Sequence, residues 1–260
     1  PPRSTLDRSS AASDVYKRQG RESAEFFSPR HRHPWDQIRY CISGSVPIAP
    51  GKSLDHGEVG YFPEGLYYGP QKGPERKVMV LQFGGASGGG YLNRDEVNRA
   101  YDELGEFGKF ENGLFTRKRG NGKRSLDGYA AIWQHLKGKP LVFPSPRYSE
   151  PVIMKPSNFA WRTVSRTGVQ QKNLGCFSDR RTEITMFRLI PGVPFAMPET
   201  DHLRIVFVIK GRGNCGRKTY KGHTAIEFGP GDGARFRPVS RTDLLCLTIP
   251  SIAKLGLKDV

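Results

Sequence analysis

From Phe26 to Phe83 the chain alternates short β-prone runs with turn residues. The runs are Phe26-Phe27, Gln37 to Ile42, Ser45 to Ile48, Val59 to Phe62 and Lys77 to Phe83. Gly44, Pro50-Gly51, Gly57, Pro63 to Gly65 and Gly73-Pro74 separate them, and these residues break strands by their backbone preferences. The period then lengthens. Asn93, with Glu96 three residues on, makes a capping box. Val97, Ala100, Tyr101 and Leu104 fall on one helical face, and Gly105 is a stop. A second helix is predicted from about Asp127 to Leu136, with Tyr129, Ile132, Trp133 and Leu136 at the same spacing; such a stripe packs on a sheet more often than it forms a cofactor box. Five prolines between Pro140 and Pro156 predict an extended linker. From about Phe159 the β pattern returns, with strand-like runs at Thr182 to Ile190, Ile205 to Ile209, Thr224 to Phe228, Ala234 to Phe236 and Leu244 to Ile249. A β-rich half, a helical insert and a second β-rich half outline an internal duplication.

Composition supports this mainly β reading. The 260 residues include 31 Gly, 20 Pro, 15 Phe and 10 Tyr, which favours short strands and tight turns over helix bundles. A mean hydropathy of −0.56 and no long apolar run exclude a spanning helix, so no membrane partner is expected. Four cysteines without a CxxC pair point to neither a disulfide framework nor a zinc ribbon; a reducing, cytoplasmic setting is the expectation. The net charge of +16 attracts polyanions. Its densest cluster, Arg117, Lys118, Arg119, Lys123 and Arg124 around Asn121-Gly122, reads as a solvated hairpin tip. No nucleic-acid-binding motif accompanies it, so no specific nucleic acid is expected as a partner. Gly84 to Gly90 follows a strand and precedes a helix, but it lacks the Gly-Lys-Ser/Thr of a phosphate loop and reads as a connection.

The first 19 residues have no apolar periodicity. Ser9 to Gln19 resembles the translation of a transposase-based sequencing adapter, and Pro1 to Thr5 resembles the flow-cell primer upstream of it. Residues 1–19 are therefore expected to be a non-native tail outside the fold, with natural sequence, of metagenomic origin, starting near Gly20. On that reading the first β unit is truncated at its start and a signal peptide would be invisible.

The string richest in chemistry is His31-Arg32-His33-Pro34-Trp35-Asp36-Gln37-Ile38-Arg39, continuing to Gly44. Residues two apart on extended chain share a face, so His31 and His33 are expected to project together. Gln37, Arg39 and Cys41 share one face of the next strand. Two imidazoles on one face suit a metal ion. His31-x-His33-x3-Gln37-x6-Gly44 resembles the first motif of the cupin family with Gln in place of Glu. Gly57-x5-Pro63-x-Gly65-x2-Tyr68 resembles the second, with Tyr in place of His. The nearest likeness is to an uncharacterised bacterial cupin group whose motifs match Arg30 to Arg39, Gly60 to Gly65 and Tyr68 to Gln71. In the second half Gly192-x5-Pro198-x-Thr200-x3-Arg204-x6-Gly211 keeps the frame without the ligands, and Asp243 stands near the lost histidine position.

The resemblance implies a bicupin: two jelly-roll barrels at about 20–90 and 159–260, with a helical insert and Pro-rich linker at 91–158 between them. It implies a site in the first barrel and none in the second. His31, His33 and Gln37 would be the metal ligands, for Fe, Mn, Ni or Zn. Arg39 would clamp a carboxylate, and Tyr68 would act as an acid or a ligand. Three readings follow. The first is a metal-dependent oxygenase or isomerase acting on a small acidic molecule. The second is a non-catalytic cupin that binds a small acidic ligand, and the third is a basic interaction module. A homodimer is left open. His56 and Glu64 are expected to be solvated in turns, and His135, His202 and His223 to lack partners at ligand spacing.

Overall fold

Two antiparallel β-barrels bracket a helical insert in the structure, a computed structural model that describes residues 15–118, 124–164, 166 and 168–251. The first half contains β1 (Val15–Glu22), β2 (Phe27–Ser28), β3 (Asp36–Ser43), β4 (Ser45–Ala49), β5 (Lys52–Asp55), β6 (Val59–Phe62), β7 (Gln71–Lys72) and β8 (Arg76–Phe83). The insert consists of α1 (Arg94–Phe107), β9 (Gly108–Glu111), β10 (Leu114–Arg117), β11 (Ser125–Asp127) and α2 (Gly128–Lys137), and β12 (Val152–Met154) follows it. The second half contains β13 (Arg162–Thr163), β14 (Gln170–Phe177), β15 (Thr182–Leu189), β16 (Phe195–Met197), β17 (Leu203–Lys210), β18 (Arg212–Cys215), β19 (Lys218–Lys221), β20 (Ala225–Phe228), β21 (Ala234–Pro238) and β22 (Thr242–Ile249).

Each barrel has one large sheet. In the first its order is β1-β8-β3-β6-β12, and the ribbons β4-β5 and β2-β7 complete the barrel. In the second the order is β13-β14-β15-β22-β17-β20, opposed by β16-β21-β18-β19. The two large sheets pack on one another. Ile38, Tyr40 and Ile42 of β3, Tyr61 of β6 and Leu81 of β8 share one buried cluster with Ile184, Phe207, Leu245 and Leu247 of the second half. That arrangement explains the hydrophobic pattern of β3. Its even residues enter the inter-barrel core, and its odd residues face the first barrel's interior. Residues 36–42 are therefore all buried, and the simple in–out alternation of a half-exposed strand is absent. In β22, Leu245, Leu247 and Ile249 join the shared core while Leu244 and Cys246 enter the second barrel's own cluster.

The insert folds as its sequence indicates. Asn93 caps α1 with the reciprocal Glu96 contact, and Asp127 caps α2. The helix runs past Gly105 to Phe107. Ala100 and Leu104 are buried with Phe115, Ile132 and Trp133, so the two helices cover their own small sheet β11-β10-β9. Tyr101 remains 47% exposed and stacks on Phe110.

Several expectations need correction. Residues 15–19, expected outside the fold, form most of β1, which pairs along β8 from Val15↔Phe83 to Glu22↔Arg76. Strand pairing runs through the backbone, so the open edge of β8 accepts a segment without apolar periodicity. The Pro-rich linker is not only a linker, because its Val152–Met154 pairs with β6. Glu64 is buried, and it accepts hydrogen bonds from Ser87 N at 2.8 Å and Ser87 Oγ at 2.6 Å. The Gly-rich connection is thus anchored through a carboxylate. A Cβ at Gly85 would displace the Glu64 carboxylate from this anchor. The Asn121-Gly122 turn lies outside the described residues. Among the described residues no helix is long and apolar enough to cross a membrane.

Phe207 is fully buried at the centre of the inter-barrel core, against Tyr40 at 5.7 Å between ring centroids. Phe207→Ala is expected to destabilise the protein by about 3–5 kcal/mol, from lost burial plus the cavity left behind. Urea unfolding followed by tryptophan fluorescence checks this. A loss under about 1 kcal/mol would mean that the barrels do not depend on this contact.

Candidate small-molecule site in the first barrel

His31 and His33 lie on the extended segment that leads into β3. His31 forms a single β-bridge with Tyr68, with His31 N donating to Tyr68 O at 3.0 Å and Tyr68 N to His31 O at 2.9 Å. This bridge brings the two motifs together. The imidazole centroids of His31 and His33 are 4.9 Å apart, and the Tyr68 ring is 4.5 Å from the first and 6.0 Å from the second. Gln37 and Arg39 reach the same place from the inner face of β3. The structure thus brings together all five predicted site residues.

Arg39 is the hub. Its Nη2 donates to Tyr68 Oη at 2.7 Å and to Gln37 Oε1 at 3.0 Å, and its Nε donates to Gln37 Oε1 at 3.1 Å. The guanidinium carbon sits 4.9 Å from the ring centres of both Phe62 and Tyr68. These bonds set the amide orientation of Gln37, because two arginine donors require its oxygen. Gln37 Nε2 is then a buried donor with no partner among the described residues.

His31 Nδ1 lies 2.6 Å from Pro29 O, a pure acceptor, so that nitrogen carries the proton. Its Nε2 then accepts from Tyr68 Oη at 3.0 Å. The Tyr68 hydroxyl is held between a cation that donates to it and an imidazole that accepts its hydrogen bond. Burial raises the Tyr68 pKa, against a smaller opposing effect of Arg39, so the phenol stays protonated. Burial also lowers the His31 pKa, and it lowers that of His33 further, with His31 and Arg39 adding to the effect on His33. Both imidazoles are neutral near pH 7. His33 stacks on Trp35 at 4.6 Å, and Trp35 meets the edge of Tyr129 from α2 at 4.6 Å. The insert thereby supports the site, a connection that no local motif announces.

Arg39 and His31 also line a cavity of about 430 Å³ inside the barrel. Val78 and Val80 form an apolar wall, and Gln71 and Gln82 add amides. Glu22 of β1 lies on its rim and accepts from Arg76 Nε at 2.6 Å. Sequence reasoning missed Glu22 and Arg76, because only the β1–β8 register joins them. Arg76 is 1% exposed, and its Nη2 has no partner among the described residues. Arg39 is 6% exposed and has no carboxylate partner among the described residues. No group of three His, Cys, Asp or Glu among the described residues could hold a metal ion.

Asp36 faces away from this cavity. Tyr61 Oη donates to Asp36 Oδ2 at 2.8 Å and Glu64 N to Asp36 Oδ1 at 2.9 Å. Burial is the main cause that pushes its pKa up to about 7. In the second barrel Arg204 Nη2 donates to Asp232 O at 2.7 Å, and Asp243 pairs with Arg188 and Lys210. His135 bonds Glu103, and His56 bonds Ile42 O.

No protein-family model matches the chain, and no curated protein matches it. Solved structures do. A putative dioxygenase from Nostoc punctiforme superposes with a TM-score of 0.60 at 9% identity, covering 91% of this chain and 69% of that one. A mutant of salicylate 1,2-dioxygenase from Pseudoaminobacter salicylatoxidans gives a TM-score of 0.57 at 12% identity, covering 94% and 72%. The fold is the bicupin fold: two cupin-type barrels with a small helical insert. At these identities the likeness establishes architecture only.

Two measurements follow from the geometry. Tyr68→Phe removes the hydroxyl that joins Arg39 to His31, and should cost about 1–3 kcal/mol of stability, as expected for buried groups left unpaired. Thermal melting of the variant checks it, and an unchanged midpoint would count against the network. Asp36 supplies a pH dependence. Its folded pKa lies above the unfolded value, so its contribution is complete below about pH 4 and is lost as the pH rises through about 7. Compared with the wild type, Asp36→Asn should gain stability between those two pH values and then hold level. Urea melts across that range would show a constant difference if Asp36 titrates normally.

Proposed function

We propose that the first barrel binds a small carboxylic acid on Arg39, without a metal ion. The single observation that carries this reading is the charge inside the barrel. Of two buried guanidinium groups, Arg76 is paired with Glu22, while Arg39, beside a cavity that Glu22 and Glu25 also line, has no carboxylate within ion-pair distance among the described residues. An unpaired buried cation is costly, and an anionic ligand would remove that cost. Arg39 uses Nε and Nη2 for Tyr68 and Gln37. Its Nη1 donors have no partner among the described residues, and Arg39 borders the cavity. Arginine is well suited to a carboxylate because its planar donors match two oxygens. The volume of about 430 Å³ suits a small ligand.

The donor set does not fit a divalent metal. Gln37 Oε1 and Tyr68 Oη already accept from a guanidinium, and a second cation at those atoms would face its charge. Both nitrogens of His31 are engaged, and Tyr68 is held protonated. For this reason the non-catalytic ligand-binding reading takes precedence over the metal-dependent oxygenase or isomerase. In the bound state His31 and the Tyr68 hydroxyl would stand beside the carboxylate and favour acids that also carry a hydroxyl group.

Calorimetry with a panel of small aliphatic and aromatic carboxylates, salicylate among them, tests the proposal, together with elemental analysis of the purified protein. The expected result is carboxylate binding with no stoichiometric metal, and a loss of roughly tenfold or more in Arg39→Met, the size of a charge-assisted hydrogen bond. Arg39→Lys, which keeps the charge but not the fork, should lie between the two. Stoichiometric Fe, Mn, Ni or Zn that is lost in the His31→Ala/His33→Ala variant would overturn it. So would undiminished carboxylate binding in folded Arg39→Met.

A further inference from the structure

The second barrel carries a different feature on its outside. Residues 210–221 hold Lys210, Arg212, Arg217, Lys218 and Lys221, and residues 234–241 hold Arg235, Arg237 and Arg241; neither stretch contains an Asp or Glu. The strand order β16-β21-β18-β19 sets these stretches side by side. Strand alternation then separates their side chains. Gly213, Cys215, Tyr220, Phe236 and Pro238 are buried, and Arg212, Asn214, Thr219, Lys221, Arg235 and Arg237 are exposed. Arg212 stands directly opposite Lys221, and Asn214 stands opposite both Thr219 and Arg237. Arg217 and Lys218 are exposed at the β18–β19 end of the sheet, and Arg241 is exposed just beyond β21.

Of these eight cations only Lys210 has a carboxylate partner among the described residues, Asp243 at 3.3 Å. Like charges directly opposite on a sheet are destabilising. Surfaces selected only for solubility intersperse both signs. Four exposed cations on the outer face, Arg212, Lys221, Arg235 and Arg237, with Arg217, Lys218 and Arg241 exposed at its ends and no acid in either stretch, are the footprint of a polyanion partner. Five of the seven are arginines, whose donors match phosphate oxygens bidentately. The exposed face has no aromatic side chain for stacking on bases. Its one large exposed apolar residue, Val239 at 62%, is too little to anchor in a lipid surface. The duplex phosphate backbone remains, with the highest line charge and no demand for base contacts.

We propose that the outer face of β21, β18 and β19 binds the phosphate backbone of double-stranded nucleic acid without sequence preference. It is independent of the carboxylate site, which lies inside the other barrel.

Fluorescence anisotropy of the full chain with a short labelled DNA duplex tests it across a salt series. With roughly five phosphate contacts, log K should fall against log salt with a slope of about −4 to −5. Arg235→Gln/Arg237→Gln should weaken binding roughly tenfold and flatten the slope by about 2. Lys72→Gln/Lys77→Gln removes the same charge from exposed positions on the first barrel and should change affinity by less than about twofold. Arg235→Lys/Arg237→Lys should keep most of the binding, and circular dichroism establishes that each variant is folded. Equal losses in the two Gln pairs would overturn the proposal by reducing it to net charge. So would a flat salt dependence, or binding to heparin or phosphatidylserine vesicles with none to the duplex.

Discussion

The first barrel depends on β3 being covered on both faces. One face lies against the second barrel's large sheet and the other closes over the interior of its own barrel. A strand in that position cannot send a polar residue to bulk water. Each polar side chain on β3 must find partners inside the protein, or inside a cavity that a ligand can enter. Arg39 follows from this constraint. It sits two residues from Gln37 on the inner face, so it bonds its own strand neighbour and then reaches Tyr68. The bridge between residues 31 and 68 completes the network from the other side.

The electrostatics follow from the same burial. Desolvation disfavours every charged form, so the groups that can lose their charge do so. His31 and His33 stay neutral, Tyr68 keeps its proton, and Asp36 on the opposite face has its pKa near neutrality. Arginine cannot follow them, because its guanidinium does not give up its proton in proteins. The site therefore collects neutral partners around one permanent cation. A neutral amide at position 37 belongs to this arrangement, because Gln37 accepts from Arg39 without cancelling its charge.

The fold class was legible because strand runs and turn residues alternate plainly on both sides of a helical periodicity. Val59–Phe62 matches its predicted limits, and both helices start at their caps. The grouping of His31, His33, Gln37, Arg39 and Tyr68 was legible because each sits at a fixed spacing within one of two short motifs. What stayed hidden depends on contacts between distant segments. Gln170–Phe177 is too polar to stand out, yet it pairs with β15 because backbone hydrogen bonds do not read side chains. Glu22 and Arg76 are 54 residues apart and meet only through the β1–β8 register. The burial of Glu64 depends on Ser87 in a loop that carries no motif. The basic face of the second barrel required the strand order, since its two stretches are separate in sequence.

The two barrels show why a shared frame need not carry a shared site. Gln37-x6-Gly44 in the first corresponds to Arg204-x6-Gly211 in the second. Counting along the inner face, Arg39 and Cys41 then correspond to Val206 and Val208. Those valines pack with Leu244, Cys246, Phe228 and Phe236 in the second barrel's own core. A methyl-branched side chain at the position of Arg39 needs no partner and packs with its apolar neighbours, while the buried Arg204 two residues earlier donates to Asp232 O. In the first barrel the same position holds a charge that packing cannot satisfy, and the interior stays open beside it. One inward position on one strand thus carries a guanidinium in the first barrel and a valine in the second, and the neighbouring side chains pack accordingly.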